Sequence, residues 1–279
     1  MASFEGNIKK MRVSVDSDNL AIYELPVGES FANMNEAIGH HISVQHNAQI
    51  NCVHCDRVTK KSFNQGYCYP CLMRLAQCDT CIIKPELCHY DKGTCREPEW
   101  GEANCLKGHF VYLSNTGNTK VGITRFVTEG VSSRWIDQGA SQALPILRVK
   151  NRLMSGLVET ALKAQIADKT NWRKMLQGEP ELFDLIALKE TLLSEAADQI
   201  AELQQEHGLQ SIEPVESSVV NINYPVLKYP EKIKSINLDK EGGFDGKLMG
   251  IKGQYLILDE NRVINMRKYS GYHLNVNIA

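Results

Sequence analysis

The chain has 279 residues, 43% hydrophobic and 23% charged, with a net charge of −2. This is the composition of a globular protein with enough apolar mass for a core, and it excludes a disordered or fibrous chain. No apolar run approaches the roughly 18 residues that a membrane-spanning helix needs, and Met1-Ala2-Ser3-Phe4-Glu5-Gly6 has neither the basic start nor the apolar stretch of a secretory leader, so a cytoplasmic protein without a membrane partner is expected.

In a reducing compartment, nine cysteines are read as metal ligands before disulfides. Charge is unevenly spread. Residues 108–176 carry 10 basic and 4 acidic groups, and residues 177–217 carry 1 and 10. A phosphate-bearing partner would meet the first stretch and avoid the second.

Residues 1–51 read as an N-terminal β segment, with short alternating runs at 7–15, 20–25, 41–45 and 49–52. Residues 52–107 hold all nine cysteines with little periodicity, a zinc-binding cysteine-rich module that lacks the apolar mass to fold without metal. Cys52-Val-His-Cys55 and Cys68-Tyr-Pro-Cys71 are two CxxC knuckles. A hairpin can bring them into one tetrahedron of thiolates, the arrangement of a structural zinc ribbon. Cys78-Asp-Thr-Cys81 opens a second group, followed by Cys88, Cys95 and Cys105. Five thiols then compete for four places. The simplest set is Cys78, Cys81, Cys88 and Cys95, with Cys105 as the alternative ligand. Two structural zinc ions are expected, and neither group shows the open three-ligand arrangement of a catalytic zinc.

Residues 108–176 open with two apolar runs, 109–113 and 120–124, joined by turn-forming residues as a hairpin. A helix is predicted over 152–167, with Leu153, Leu157, Ala161 and Ala164 on one arc. Glu159 falls about 150° from the centre of that arc at 100° per residue, so it faces solvent or a cleft. In the acidic helical segment 177–216, residues 181–207 read as one long amphipathic helix capped by Gly208. It packs on its own domain and leaves an acidic face open to a protein partner. Residues 217–279 return to short strands with glycine turns, which predicts a small C-terminal β-barrel in an α+β chain.

Several runs interleave aromatic with polar or basic residues. Around Trp135, the neighbours Arg134 and Gln138 suit stacking on a base and reading its edge, against the alternative of a buried Trp with a satisfied polar rim. Asn171-Trp-Arg173 poses the same choice. Gly250-Ile-Lys-Gly-Gln-Tyr255 and Asn265-Met-Arg-Lys-Tyr269 read as barrel strands carrying basic side chains.

Phe110-Val-Tyr112, Lys120-Val-Gly122, Arg134 near a helix start and Glu159 on the next helix resemble the core of the GIY-YIG nucleases. The resemblance implies hydrolysis of a phosphodiester with one metal ion. Tyr112 would polarise or deprotonate the attacking water, Arg134 would offset charge on the phosphorane-like state, and Glu159 would hold Mg²⁺ or Mn²⁺. Asn171 stands near the family's late Asn. The sequence departs from the pattern at Phe110, in place of the first glycine, and at Lys120, in place of the second tyrosine. Lys120 needs a lowered pKa to accept a proton there. The spacing from Gly122 to Arg134 is also longer than usual, which makes Arg125 a rival for the cationic role. Across nearly the whole chain, the runs 61–68, 88–100, 120–125 and 134–140 look like a bacterial family catalogued only as a domain of unknown function. The expected function is metal-dependent phosphodiester cleavage on DNA or RNA, with Arg125, Trp135, Gln138, Asn171 and Arg173 contacting nucleic acid. The alternative is a non-catalytic, zinc-stabilised nucleic-acid or ribonucleoprotein binder.

Overall fold

The structure is a computed structural model describing residues 2–163, 166 and 171–279. The chain opens with β1 (Ala2–Asn7), β2 (Arg12–Val15), β3 (Ala21–Val27), β4 (Ser30–Asn33) and β5 (His41–Ile50). The cysteine-rich stretch follows as short helices α1 (Tyr69–Arg74), α2 (Thr80–Ile83) and α3 (Pro98–Asn104), separated by 3-10 turns. The middle of the chain holds β6 (His109–Asn115), β7 (Thr119–Thr124), α4 (Ser133–Asp137), β8 (Gln142–Val149), α5 (Arg152–Lys163) and α6 (Trp172–Leu176). After α7 (Leu185–Glu195) and α8 (Ala197–His207) come β9 (Ile212–Pro214), β10 (Val220–Asn221), β11 (Lys234–Ser235) and α9 (Leu238–Glu241). The chain ends with β12 (Gly243–Lys252), β13 (Tyr255–Leu258), β14 (Arg262–Asn265) and β15 (Tyr272–Ile278).

These strands form three sheets in a mixed α+β architecture. The largest has seven strands in the order β1-β15-β5-β12-β13-β14-β11. The C-terminal strands therefore form no closed barrel among the described residues, in contrast to the expectation from their glycine-turn pattern. The reason lies in β12. Its first half pairs with β5, with Gly243 opposite Gln45 and Lys247 opposite His41, and its second half pairs with β13, with Lys252 opposite Tyr255. The strand changes partner midway, so the N-terminal β5 is inserted where a barrel would have closed. β1 then adds to β15, with Ala2 opposite Ile278.

A second sheet runs β10-β8-β6-β7, with β9 also paired to β8. Alternation along β6 sends Val111 and Leu113 to one face, where they pack with Val121, Leu144 and the α5 residues Met154, Val158 and Leu162. Tyr112 points to the other face and joins Trp135 and Ile136 in the core of the large sheet. Both faces of β6 are buried, and β7 is the edge strand.

The predicted helix over 181–207 starts later and breaks once. The Asp184 carboxylate accepts from the backbone N–H groups of Ile186 and Ala187, capping α7 at Leu185. A turn at Ala196 separates α7 from α8. Leu185, Leu192 and Ala196 are buried against the second sheet, and Ile200 and Leu203 pack beside them, whereas Leu182 and Ile186 at the start of the predicted stripe are exposed. In the described residues α5 ends at Lys163. Its expected continuation to 167, with Ala164, lies outside them.

Candidate functional site

An open cleft of about 470 Å³ lies along the exposed edge of β7. Five parts of the fold line it. The second sheet supplies Lys120 and Gly122 from β7, α4 supplies Arg134 and Gln138, and α5 supplies Arg152, Glu159 and Lys163. The cysteine-rich module closes one side with Tyr67 and Gln77, and the turn after β14 contributes Arg267. Five cationic side chains and one carboxylate thus face one cavity among the described residues.

The hairpin sets the floor. Tyr112 on β6 stands opposite Gly122 on β7, and Lys120, two residues from Gly122, shares that face of the strand. The Tyr112 side chain is fully buried. Its hydroxyl donates to Gln138 Oε1 at 3.0 Å, and its ring meets Trp135 edge-on at 5.7 Å between centroids. Burial pushes the hydroxyl up to about 12, although the neighbouring Arg134 guanidinium pulls the other way. Tyr112 therefore stays protonated at neutral pH and contacts Gln138 and Arg134, which line the cleft, while not lining it itself.

Arg134 is placed by the start of α4. The Ser132 hydroxyl accepts from the Arg134 N–H at 3.3 Å and lies 2.8 Å from the Thr124 hydroxyl at the end of β7. Burial lowers the pKa values of Arg152 and Arg267, and the charge of Arg134 lowers both further. These guanidiniums thus feel one another, the condition that an incoming anion relieves. Glu159 has a side-chain exposure of 14% and lies 3.5 Å from Lys163 Nζ one turn along α5. It faces the cleft, one of the two outcomes its helical angle allowed.

Other predicted residues lie elsewhere. Arg125 donates to the Asn104 side chain and stacks over Phe126 at 4.3 Å, outside the cleft lining. Trp135 is fully buried, so it presents no face to a base. Asn171 caps α6 by accepting from the N–H groups of Arg173 and Lys174 at 3.2 Å. Arg173 lies over the Trp172 ring at 4.4 Å, and that ring stacks on Tyr255. Sequence reasoning missed Arg152, Lys163 and Arg267 as cleft residues. The signal for Arg267 was its basic-aromatic run, but Met266–Tyr269 forms a 3-10 turn rather than a strand.

The first cysteine group is compact. The sulfurs of Cys52, Cys55, Cys68 and Cys71 all lie within 4.8 Å of one another, and Cys55 and Cys68 are 3.8 Å apart. A tetrahedral ion with metal–sulfur bonds of about 2.3 Å requires sulfur–sulfur edges of about 3.8 Å, so the set fits zinc. Burial opposes ionisation of Cys52, but the backbone N–H groups of Cys68, Cys55 and His54 outweigh it and bring the thiol down to about 6. Burial and the three surrounding sulfurs push Cys71 up to about 12. A bound cation would remove that conflict. The other cysteines divide differently from the simplest set. Cys81, Cys88, Cys95 and Cys105 line one small cavity, and Cys78 packs against the first group. The ligand atoms of Asp79, Cys81 and His89 also lie within 4.8 Å of one another. All nine thiols are free of disulfides.

No helix among the described residues is long and apolar enough to cross a membrane. No curated protein and no solved structure matches the chain. The family described as "Protein of unknown function (DUF2797)" matches residues 39–274, which span β5, the cysteine-rich module, the cleft and the start of β15, and the chain belongs to that family.

Proposed function

We propose that the cleft binds a nucleic-acid phosphodiester and hydrolyses it, with a divalent cation at Glu159. The observation that carries this reading is the convergence of Lys120, Arg134, Arg152, Lys163 and Arg267 on one cavity that also holds a single carboxylate. The order of strands and helices from β6 to α5 supports the resemblance to the GIY-YIG core, with Gly122, Arg134 and Glu159 lining one cleft and Tyr112 buried behind Gln138. The guanidiniums hold the phosphate and offset charge as it builds on the equatorial oxygens. Tyr112 keeps Gln138 oriented toward the bound group. One carboxylate plus substrate phosphate oxygens is a donor set that suits Mg²⁺ or Mn²⁺, and the ion supplies Lewis acidity at the phosphorus. With five cations nearby, Glu159 recruits that ion together with the anionic substrate rather than before it. Two zinc ions hold the cysteine-rich wall of the cleft, and their thiolate ligands suit a reducing cytoplasm.

A 5′-labelled oligonucleotide, single- or double-stranded, tests this in the presence of Mn²⁺. Cleavage by the native chain, lost by more than about 100-fold in Glu159→Gln with binding retained, is the expected result. Equal cleavage by the variant removes Glu159 from the mechanism. Full burial of Tyr112 favours a second reading, in which the same cleft binds nucleic acid without cutting it. Binding without cleavage under any divalent ion selects that reading.

A further inference from the structure

The thiols outside the first group are sorted by the fold. Cys81 lies in α2, Cys88 ends the 3-10 turn Pro85–Leu87, Cys95 follows the left-handed turn at Gly93, and Cys105 caps α3. These four side chains line one cavity of about 20 Å³ together with Asp79 and His89, walled by Ile82, Tyr90 and Trp100. That volume is about that of a single water-sized sphere. Gly101, one turn before Cys105, keeps the approach open, since a Cβ there would fall 3.4 Å from the Cys95 sulfur and 3.2 Å from the Tyr90 ring. Cys78 is not part of this wall and packs with Cys52, Cys68, Cys71 and Leu75.

We propose that Cys81, Cys88, Cys95 and Cys105 form the second zinc site, leaving Cys78 as the spare thiol, and that this centre anchors the helix carrying Glu159. The ligand set rests on the reading that the module holds two ions. Each thiol gives up its proton as its metal–sulfur bond forms, leaving a centre of charge −2. Arg152 at the start of α5 answers that charge. Its backbone N–H donates to the Cys105 carbonyl at 2.8 Å, and its guanidinium donates to the Ile82 carbonyl at 2.5 Å. The contact continues along α5. A Cβ at Gly156 would fall 2.7 Å from the Pro85 carbonyl carbon, so the turn between Cys81 and Cys88 sits directly on the helix. Glu159 lies three residues further along. The rival set of Asp79, Cys81 and His89 lines the same cavity with its ligand atoms within 4.8 Å of one another, but it offers one sulfur, and its carboxylate is already engaged by Arg96 Nε at 2.6 Å.

Metal analysis of the purified full chain tests the number of ions and then their ligands. Two zinc ions per chain are expected; a single ion in the native protein defeats the two-ion reading itself. With two present, Cys78→Ser and His89→Ala should keep both, and Cys105→Ser should keep one. Loss of an ion from Cys78→Ser or His89→Ala, or retention of both by Cys105→Ser, overturns the ligand set while leaving the two-ion reading intact. Should Cys105→Ser fail to fold, alkylation of the native chain followed by mass mapping gives the same answer. Cys78, Cys81, Cys88 and Cys95 are comparably half-buried, so burial alone predicts similar rates. The proposal predicts that Cys78 reacts at least about tenfold faster than the other three until a chelator is added. Equal rates with metal bound contradict it.

Discussion

Tyr112 and Gly122 face each other across the β6–β7 pair so closely that a Cβ at position 122 would fall 2.7 Å from the Tyr112 hydroxyl oxygen and its ring carbon. Glycine is required here for space, because the tyrosine ring crosses the neighbouring strand to reach Gln138. Gly122→Ala should cost about 1–3 kcal/mol, the usual penalty for overpacking a core. Urea denaturation measures it. An unchanged midpoint would show that Tyr112 has room to move and that the hairpin does not fix its hydroxyl.

His109 gives a prediction in pH. Burial lowers its pKa from 6.5 to about 4, the nearby cations Arg152 and Arg125 add to this, and a hydrogen bond to the Lys107 carbonyl opposes it. Between those two values the unfolded chain binds the proton and the folded chain does not, so stability is present above pH 6.5 and is lost as pH falls toward 4. The full contribution is about 3 kcal/mol. His109→Phe should be less pH-dependent than the native chain by about that amount when denaturation is compared at pH 7 and pH 4. The difference between the two proteins isolates His109 from thiolate ligands that protonate in the same range. Parallel curves would place the histidine in solvent.

Removing the first metal should act locally. Cys55→Ala breaks the four-sulfur set that would hold the ion, withdrawing binding free energy of the order of 10 kcal/mol from a segment with little core of its own. Hydrogen exchange should become fast over residues 52–75 while the amides of β6 and β8 remain protected. Protection that survives in both regions would mean that the ribbon folds without metal.

The knuckles were legible in the sequence because each pair of ligands is local, and a CxxC turn needs no distant residue to place its sulfurs. The direction of Glu159 was legible for the same reason, since helical geometry fixes an angle within one element. What the sequence concealed depends on long-range pairing. β12 borrows β5 from about 200 residues earlier, which opens the expected barrel, and nothing in the 217–279 strands announces that partner. Arg267 reaches the cleft only because the turn after β14 is set by that sheet. Trp135 was evenly poised between a stacking face and core. The structure buries it, because α4 packs its apolar side onto the large sheet beside Tyr112.

A basic cleft that takes a phosphodiester must bind oligonucleotides with an affinity that falls as salt rises. Each phosphate contact contributes about 0.7–0.9 to the slope of log K against log salt. Fluorescence anisotropy with a labelled oligonucleotide should show Arg267→Ala weakening binding at every salt concentration and reducing that slope by about one. Arg173→Ala, which removes a guanidinium lying over Trp172 outside the cleft lining, should leave the slope unchanged. A slope lowered by Arg173→Ala and untouched by Arg267→Ala would move the nucleic acid to the other face, and native binding that does not vary with salt would contradict the phosphate cleft altogether.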